Sequence, residues 1–134
     1  MNKRLCLIIN IDRFKSINDT YGHQVGDLVL TELAQLLVST SREDDIVARF
    51  GGEEFVIIIP NTNLENAILA AERYRSKTET ANWGEYHVTV SIGAATITQE
   101  DTDQSLLQKA DQALYNSKKS GRNRVTHYSN LEEG

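Results

Sequence analysis

The sequence is poor in cysteine, in long apolar runs and in positive charge, and each shortage removes a class of function. One cysteine among 134 residues rules out a disulfide framework and makes a reducing cytosol the natural setting. That cysteine, Cys6, sits in the apolar run Leu5-Cys6-Leu7-Ile8-Ile9, where a small core residue is expected rather than a reactive thiol. No apolar stretch approaches the roughly 20 residues that a membrane helix needs, and none has the layout of a signal peptide. The formal net charge of −5 argues against a general binder of nucleic acid or anionic membrane, because phosphate affinity normally needs a cationic face. It does not exclude a nucleotide site, for which a few local cations, backbone amides and metal ions suffice. Internal repeats, linkers and low-complexity stretches are also missing. The abrupt start Met1-Asn2-Lys3-Arg4 and the end Leu131-Glu132-Glu133-Gly134 suggest a fragment of a longer chain, cytoplasmic itself although its parent could be membrane-anchored.

What is present is one domain's worth of alternating strand and helix patterns. Leu5–Ile11 is almost continuously apolar, as in a strand covered on both faces. Gly26-Asp27 opens a helical stripe of Val29, Leu30, Leu33, Leu36 and Leu37, with Asp27 a candidate N-cap. Ile46–Phe50 and Phe55–Ile59 flank Gly51-Gly52, a strong hairpin signal because paired glycines accept positive φ. Pro60 closes the second of these strands. Thr62 and Glu65 have capping-box spacing ahead of a stripe of Leu64, Ile68 and Ala71. His87–Ile92 reads as a strand bounded by Gly84 and Gly93. Leu106, Leu107, Ala110, Ala113 and Leu114 form a helical face stopped by Gly121, and Arg124–Tyr128 reads as a short closing strand. The order β-α-β-β-α-β-α-β specifies an α/β domain with a mixed sheet and one antiparallel hairpin.

Two clusters stand out chemically. In Gly51-Gly52-Glu53-Glu54-Phe55, two carboxylates directly follow a tight turn beside an apolar strand. Adjacent strand residues face opposite ways, so both cannot face a sealed core. The pentapeptide is either a solvated hairpin tip or a phosphate site, where bare glycines admit a nucleotide and hard carboxylate oxygens suit Mg²⁺. The second cluster, Asn10-Ile11-Asp12-Arg13-Phe14-Lys15 with Asn18-Asp19, Gly22-His23 and Gly26-Asp27, follows the first strand's carboxyl end, where open α/β sheets usually bind ligands. A plain loop is the alternative.

These two clusters, together with Val88-Thr89-Val90-Ser91-Ile92-Gly93 and Ala110-Asp111-Gln112-Ala113-Leu114-Tyr115 through Gly121-Arg122-Asn123, occur in one order and at one spacing. In combination they resemble the GGDEF family of diguanylate cyclases, over about residues 5–126. The resemblance makes residues 1–128 a single GGDEF domain and 129–134 a tail. The family's N-terminal helical segment, with its Leu-Thr-Gly-Leu-like motif, has no counterpart in this sequence.

The resemblance implies a palm-like nucleotidyl cyclase fold with a central five-stranded mixed sheet flanked by helices. It implies condensation of two GTP molecules into cyclic di-GMP across a homodimer, helped by two Mg²⁺ or Mn²⁺ ions per active site. Glu53 and Glu54 match residues that bind metal and deprotonate the attacking hydroxyl; Asn10 and Ile11 match the remaining metal-binding positions. Asn18 and Asp27 match guanine-edge ligands. Phe14, Lys15, Lys118 and Arg122 match phosphate contacts, and Gly51 and Gly52 pass close to the nucleotide. Without the resemblance, Lys118 is simply a cation favouring a helix C-terminus. Asp19 and His23 match family positions but carry no evident role beyond structure. Arg42-Glu43-Asp44-Asp45 matches the family's Arg-x-x-Asp inhibitory motif, with Arg73 as a second arginine gripping the product; a solvated charged loop is the bland alternative.

One departure matters. Asn10 stands where the family places its first metal-binding aspartate, and Asp12 matches the next aspartate, which is not the usual ligand. An amide oxygen coordinates Mg²⁺ without offsetting its charge. The alternative to a cyclase is therefore a degenerate module that binds GTP or cyclic di-GMP and regulates an attached sensor or effector domain.

Overall fold

The computed structural model describes residues 4–131; the readings made on Met1–Lys3 and on Glu132–Gly134 fall outside them. Its elements are β1 (Arg4–Ile11), α1 (Phe14–Tyr21), α2 (His23–Thr40), β2 (Ile46–Arg49), β3 (Glu54–Pro60), α3 (Leu64–Thr80), β4 (Val90–Thr96), α4 (Asp103–Lys119), β5 (Val125–His127) and a 3₁₀ turn at Tyr128–Asn130. The strands form one mixed sheet in the order β2-β3-β1-β4-β5, with only the β4–β5 pair parallel. Strand β1 lies at the centre because its run Leu5–Ile11 is apolar on both faces, and every one of those residues is buried.

Alternation along the strands builds two cores. Leu5, Leu7, Ile9 and Ile11 point with Phe55, Ile57, Val90 and Ile92 toward α2 and α3, where Leu33, Leu37, Ala71 and Tyr74 complete the larger core. Cys6 and Ile8 point the other way, with Val56 and Ala95, onto Leu106, Ala110 and Leu114 of α4. Burial pushes the Cys6 thiol up to about 11, which suits a packing role. Among the described residues no helix is long and apolar enough to cross a membrane.

Several local expectations need correction. The helix expected to open at Gly26-Asp27 starts at His23, and a further helix, α1, precedes it; Gly22, at φ 93° and ψ 163°, breaks the chain between the two. Asp27 is therefore inside α2 and cannot be its N-cap. Helix α3 is capped by Asn63, whose side chain accepts from the Asn66 amide, while the Thr62 hydroxyl donates instead to the Pro60 carbonyl. Its buried face is Ala67, Ala70, Ala71 and Tyr74, whereas Leu64 and Ile68 are exposed; small residues let the helix lie closer to the sheet. The fourth strand runs on to Thr96 rather than stopping at Gly93, and His87–Thr89 lie outside it. Gly93 is there for contact, since a Cβ would meet the Ala110 carbonyl at 2.1 Å and the Leu114 nitrogen at 2.2 Å. The closing strand ends at His127, and Tyr128 passes into the 3₁₀ turn.

Candidate functional site

The β2–β3 hairpin brings Glu53 and Glu54 to the carboxyl end of β1. Gly51 takes φ 91° at the turn, and the Arg49 guanidinium braces it by donating to the Gly52 carbonyl at 2.7 Å. A Cβ on Gly51 or Gly52 would meet nothing within 4 Å, so the outer side of the turn is open. Glu54 pairs in register with Asn10 across the ladder, and Asn10 pairs on its other side with Ser91. Asn10 is 5% exposed, and the Ile11 amide donates to the Glu53 carbonyl at 3.4 Å. Burial raises the Glu54 carboxyl above its ordinary 4.5, and the neighbouring Asp111 charge raises it further. The Lys118 ammonium and a hydrogen bond from Asn10 oppose that shift, while Glu53 adds to it. Three carboxylates thus sit around one lysine, a surplus of negative charge at the mouth of the hairpin.

On the other side of β1, Arg13 takes the left-handed conformation at φ 54° and starts α1 without a side-chain cap. The first-turn amides at Phe14 and Lys15 have no carbonyl partner within the helix, as at any helix start. Asn18 lies against α2: a Cβ on Gly26 would stand 1.8 Å from its Oδ1 and 3.2 Å from the Phe14 ring. Gly26 is bare because that space is taken. The Asn18 Oδ1 is buried without a hydrogen-bond partner, and Asp27, the next residue, is exposed on α2. Asp19 and His23 are exposed as well.

Lys118 lies in the last turn of α4, and Arg122 follows in a loop where its amide donates to the Ser117 carbonyl at 3.0 Å. Asp12, 8% exposed, accepts from the Thr89 hydroxyl (2.7 Å), the Ser91 hydroxyl (2.5 Å) and the Asn123 amide (2.9 Å). Its oxygens are committed to holding β4 and this loop. Among the described residues no group of three or more His, Cys, Asp or Glu has the arrangement of a metal cluster.

A cavity of about 570 Å³ opens at the other end of the hairpin and is lined by Arg42, Asp45, Asn66, Leu69 and Arg73 among others. Its lining includes Asp45, Ile59 and Pro60, at the ends of β2 and β3 remote from the Gly51 turn. The Asp45 carboxylate accepts from the Arg42 amide at 2.9 Å and from the Tyr74 hydroxyl at 3.4 Å. The Arg73 guanidinium lies 5.5 Å over the Tyr74 ring, and its Nε is buried without a partner.

Residues 2–124 match the family described as "Diguanylate cyclase, GGDEF domain". The chain belongs to the GGDEF family. Diguanylate cyclase A of Treponema denticola is 45% identical over 125 residues, which cover 90% of this chain and 34% of that protein. Response regulator PleD of Caulobacter vibrioides is 47% identical over 126 residues, 89% of this chain and 28% of that one. This GGDEF chain therefore spans roughly a third of the length of those relatives. The GGDEF domain of DgcB from Caulobacter crescentus, solved in complex with c-di-GMP, superposes with a TM-score of 0.89 at 33% identity, covering 96% of this chain and 79% of that one. The active GGEEF domain of a diguanylate cyclase from Vibrio cholerae gives 0.87 at 38% identity, over 94% and 83%. The palm-like cyclase fold expected of the GGDEF family is thus the fold of this chain.

The structure also gathers residues that the sequence reading left without a role. Asp111 acts on Glu54; its spacing of seven from Lys118 on one helix was the available signal, since two turns return to the same face. Gly26 admits Asn18, and Asn123 ties the Arg122 loop to Asp12. Asn123 also pairs through its side chain with Arg75 and Glu79 of α3, a pairing with no local signature in the sequence.

Proposed function

We propose that the domain condenses two GTP molecules into cyclic di-GMP and pyrophosphate across a two-fold dimer, and that its product inhibits it. The observation that carries this reading is the hairpin site: an open glycine turn, two adjacent glutamates, and a Glu54 carboxyl raised by burial and Asp111 beside the Lys118 ammonium. The 3′-hydroxyl of each GTP attacks the α-phosphorus of the other; at each phosphorus the bond to the β-phosphate breaks, and two pyrophosphates leave. The hydroxyl proton passes to a glutamate, and a carboxyl raised above its ordinary value is a better base than a solvated one. Each domain presents one GTP, so one copy holds half of the reacting pair.

The residues fit the divalent cations that this chemistry uses. The surplus of carboxylate around Lys118 leaves negative charge that Mg²⁺ or Mn²⁺ would offset, and oxygen donors suit hard cations. Glu53, Glu54, the Asn10 amide oxygen and the Ile11 carbonyl would hold two such ions. When bound, they neutralise phosphate charge and make the attacking hydroxyl more acidic. Lys118, Arg122 and the amides at Phe14 and Lys15 would take the phosphates, at a helix start suited to anions. The buried Asn18 Oδ1 lacks a donor, and the guanine N–H edge would supply one. Asp27 would accept from the same edge, which adenine cannot match.

Arg42, Asp45 and Arg73 would hold cyclic di-GMP in the 570 Å³ cavity, the guanidinium groups as forks onto guanine or phosphate. The setting would be cytoplasmic, and the greater length of the relatives leaves room for attached sensor or effector domains that control dimerisation. The alternative favoured by Asn10 is a silenced domain that binds GTP or cyclic di-GMP without turnover. Chromatography of the products formed from GTP and Mg²⁺ by the unmodified protein and by Asn10→Asp separates the two. Turnover by the unmodified protein supports the cyclase; turnover by the variant alone establishes the silenced domain.

A further inference from the structure

Three consecutive residues after α4 have positive φ: Gly121 at 128°, Arg122 at 65° and Asn123 at 47°. The left-handed region is sparsely populated by residues other than glycine, and such a run persists only where the surroundings hold it. Here they hold it closely. The Arg122 amide donates to the Ser117 carbonyl at 3.0 Å, and the Arg122 carbonyl accepts from the Arg124 Nε at 3.0 Å. The Asn123 amide donates to the Asp12 carboxylate at 2.9 Å. The Asn123 side chain is fixed from α3: its Oδ1 accepts from the Arg75 Nη1 at 2.8 Å, and its Nδ2 donates to the Glu79 carboxylate at 2.5 Å. Arg75 in turn pairs with Glu72 and Glu79, and this engagement keeps its guanidinium's proton bound more tightly than usual.

These bonds fix the backbone of residues 122–123 and leave the Arg122 side chain without an ion pair among the described residues. Beside the loop lies a cavity of about 380 Å³, lined in part by Asp12, Arg13, Arg122 and Asn123. Left-handed backbone alone would be served better by glycine at 123. An asparagine with both ends of its amide engaged serves a different purpose.

We infer that Asn123, held by Arg75 and Glu79 of α3 and by Asp12, is a positioning residue that aims Arg122 at the nucleotide's phosphates. This rests on the reading of Arg122 as a phosphate ligand. Asn123 acts through Arg122, and a displacement of about 1 Å at such a group is enough to lower its effect substantially.

The test uses 3′-deoxy-GTP with Mg²⁺, which lacks the attacking hydroxyl and reports binding alone. Calorimetry on the whole chain compares the unmodified protein with Asn123→Gly, Arg122→Met, and the two combined. Asn123→Gly keeps the left-handed backbone and its amide bond to Asp12 while deleting the links to α3. It is expected to weaken binding about tenfold with a melting temperature close to the parent's. Arg122→Met should weaken binding more, and the double variant should be no weaker than Arg122→Met alone, because residues that act as one unit are not additive. Arg75→Lys, which keeps the charge and loses the fork, should follow Asn123→Gly and serves if that variant folds poorly. If Arg122→Met leaves affinity unchanged, the phosphate reading of Arg122 fails and takes the inference with it. If Arg122→Met weakens binding while Asn123→Gly and Arg75→Lys do not, or if the two effects multiply in the double variant, the positioning role alone is overturned.

Discussion

Replacing Asn10 by aspartate should convert a metal-independent fold into a metal-dependent one. Asn10 faces Glu54 in register and hydrogen-bonds its carboxyl, while Asp111 already raises that carboxyl. Directly opposed strand residues have Cβ atoms about 5 Å apart. Two carboxylates at that distance repel by about 2–3 kcal/mol at the effective dielectric of a partly buried site. Losing the hydrogen bond adds about 1 kcal/mol. Protonation of one carboxyl relieves part of this, so the metal-free variant should lose about 2–4 kcal/mol near neutral pH, or roughly 8–15 °C in melting temperature for a domain of this size.

The pH dependence has a defined sign. The folded state already raises Glu54 above 4.5, so its contribution to stability is complete below that pH and is lost as pH rises through the folded value. The added carboxylate pushes that window upward, and the variant should recover at mildly acidic pH. Mg²⁺ should restore it at neutral pH: a ligand at a hundred times its dissociation constant contributes about 2.7 kcal/mol. The assay is thermal melting of both proteins at pH 5 and 7.5, with chelator and with Mg²⁺. A metal-free variant that melts within 2 °C of the parent at pH 7.5, or one whose response to Mg²⁺ equals the parent's, would refute this account of Asn10.

Gly26→Ala should leave melting almost unchanged, because helix propensity gains up to about 1 kcal/mol while the Asn18 side chain moves aside; GTP binding by calorimetry should nonetheless fall at least tenfold, since a Cβ at 26 occupies the space of the Asn18 Oδ1. Gly93→Ala should be far more damaging to the fold. Its Cβ would meet backbone atoms of α4 at 2.1 and 2.2 Å, and forcing the helix off the sheet costs about 3 kcal/mol or more, read as a lowered urea midpoint. Arg73→Ala should weaken cyclic di-GMP binding by at least tenfold in calorimetry while leaving 3′-deoxy-GTP affinity within twofold, because its guanidinium belongs to the cavity at the far end of the hairpin.

The sheet was legible wherever burial was the dominant demand. Leu5–Ile11 and Phe55–Ile59 show near-continuous apolar runs because both their faces are covered, and Gly51 marks the turn because a positive φ is required there. Legibility fell where another demand competed with burial. Helix α1 buries only Ile17 fully, with Phe14 half-buried beside it and polar residues at most other positions, so it reads as loop; local patterns fail in this way at functional sites. The buried face of α3 is mostly alanine, and its large apolar residues Leu64 and Ile68, which face water, draw the expected stripe to the wrong side. Gly93 punctuates nothing: it is bare because α4 crosses there. In the candidate site, the hairpin and the Asn10–Asp27 cluster announced themselves through residue type and family spacing. Arg75 and Asn123 lie 48 positions apart, and only the fold brings them together.

Turnover is tested most directly by incubating the protein with GTP and Mg²⁺ and quantifying the products by chromatography over a range of protein concentrations. Cyclic di-GMP and two equivalents of pyrophosphate are expected, with a rate that rises more steeply than linearly with protein, as a reaction shared between two domains requires. Intact GTP at high protein concentration, from a folded sample that still binds 3′-deoxy-GTP, would contradict it.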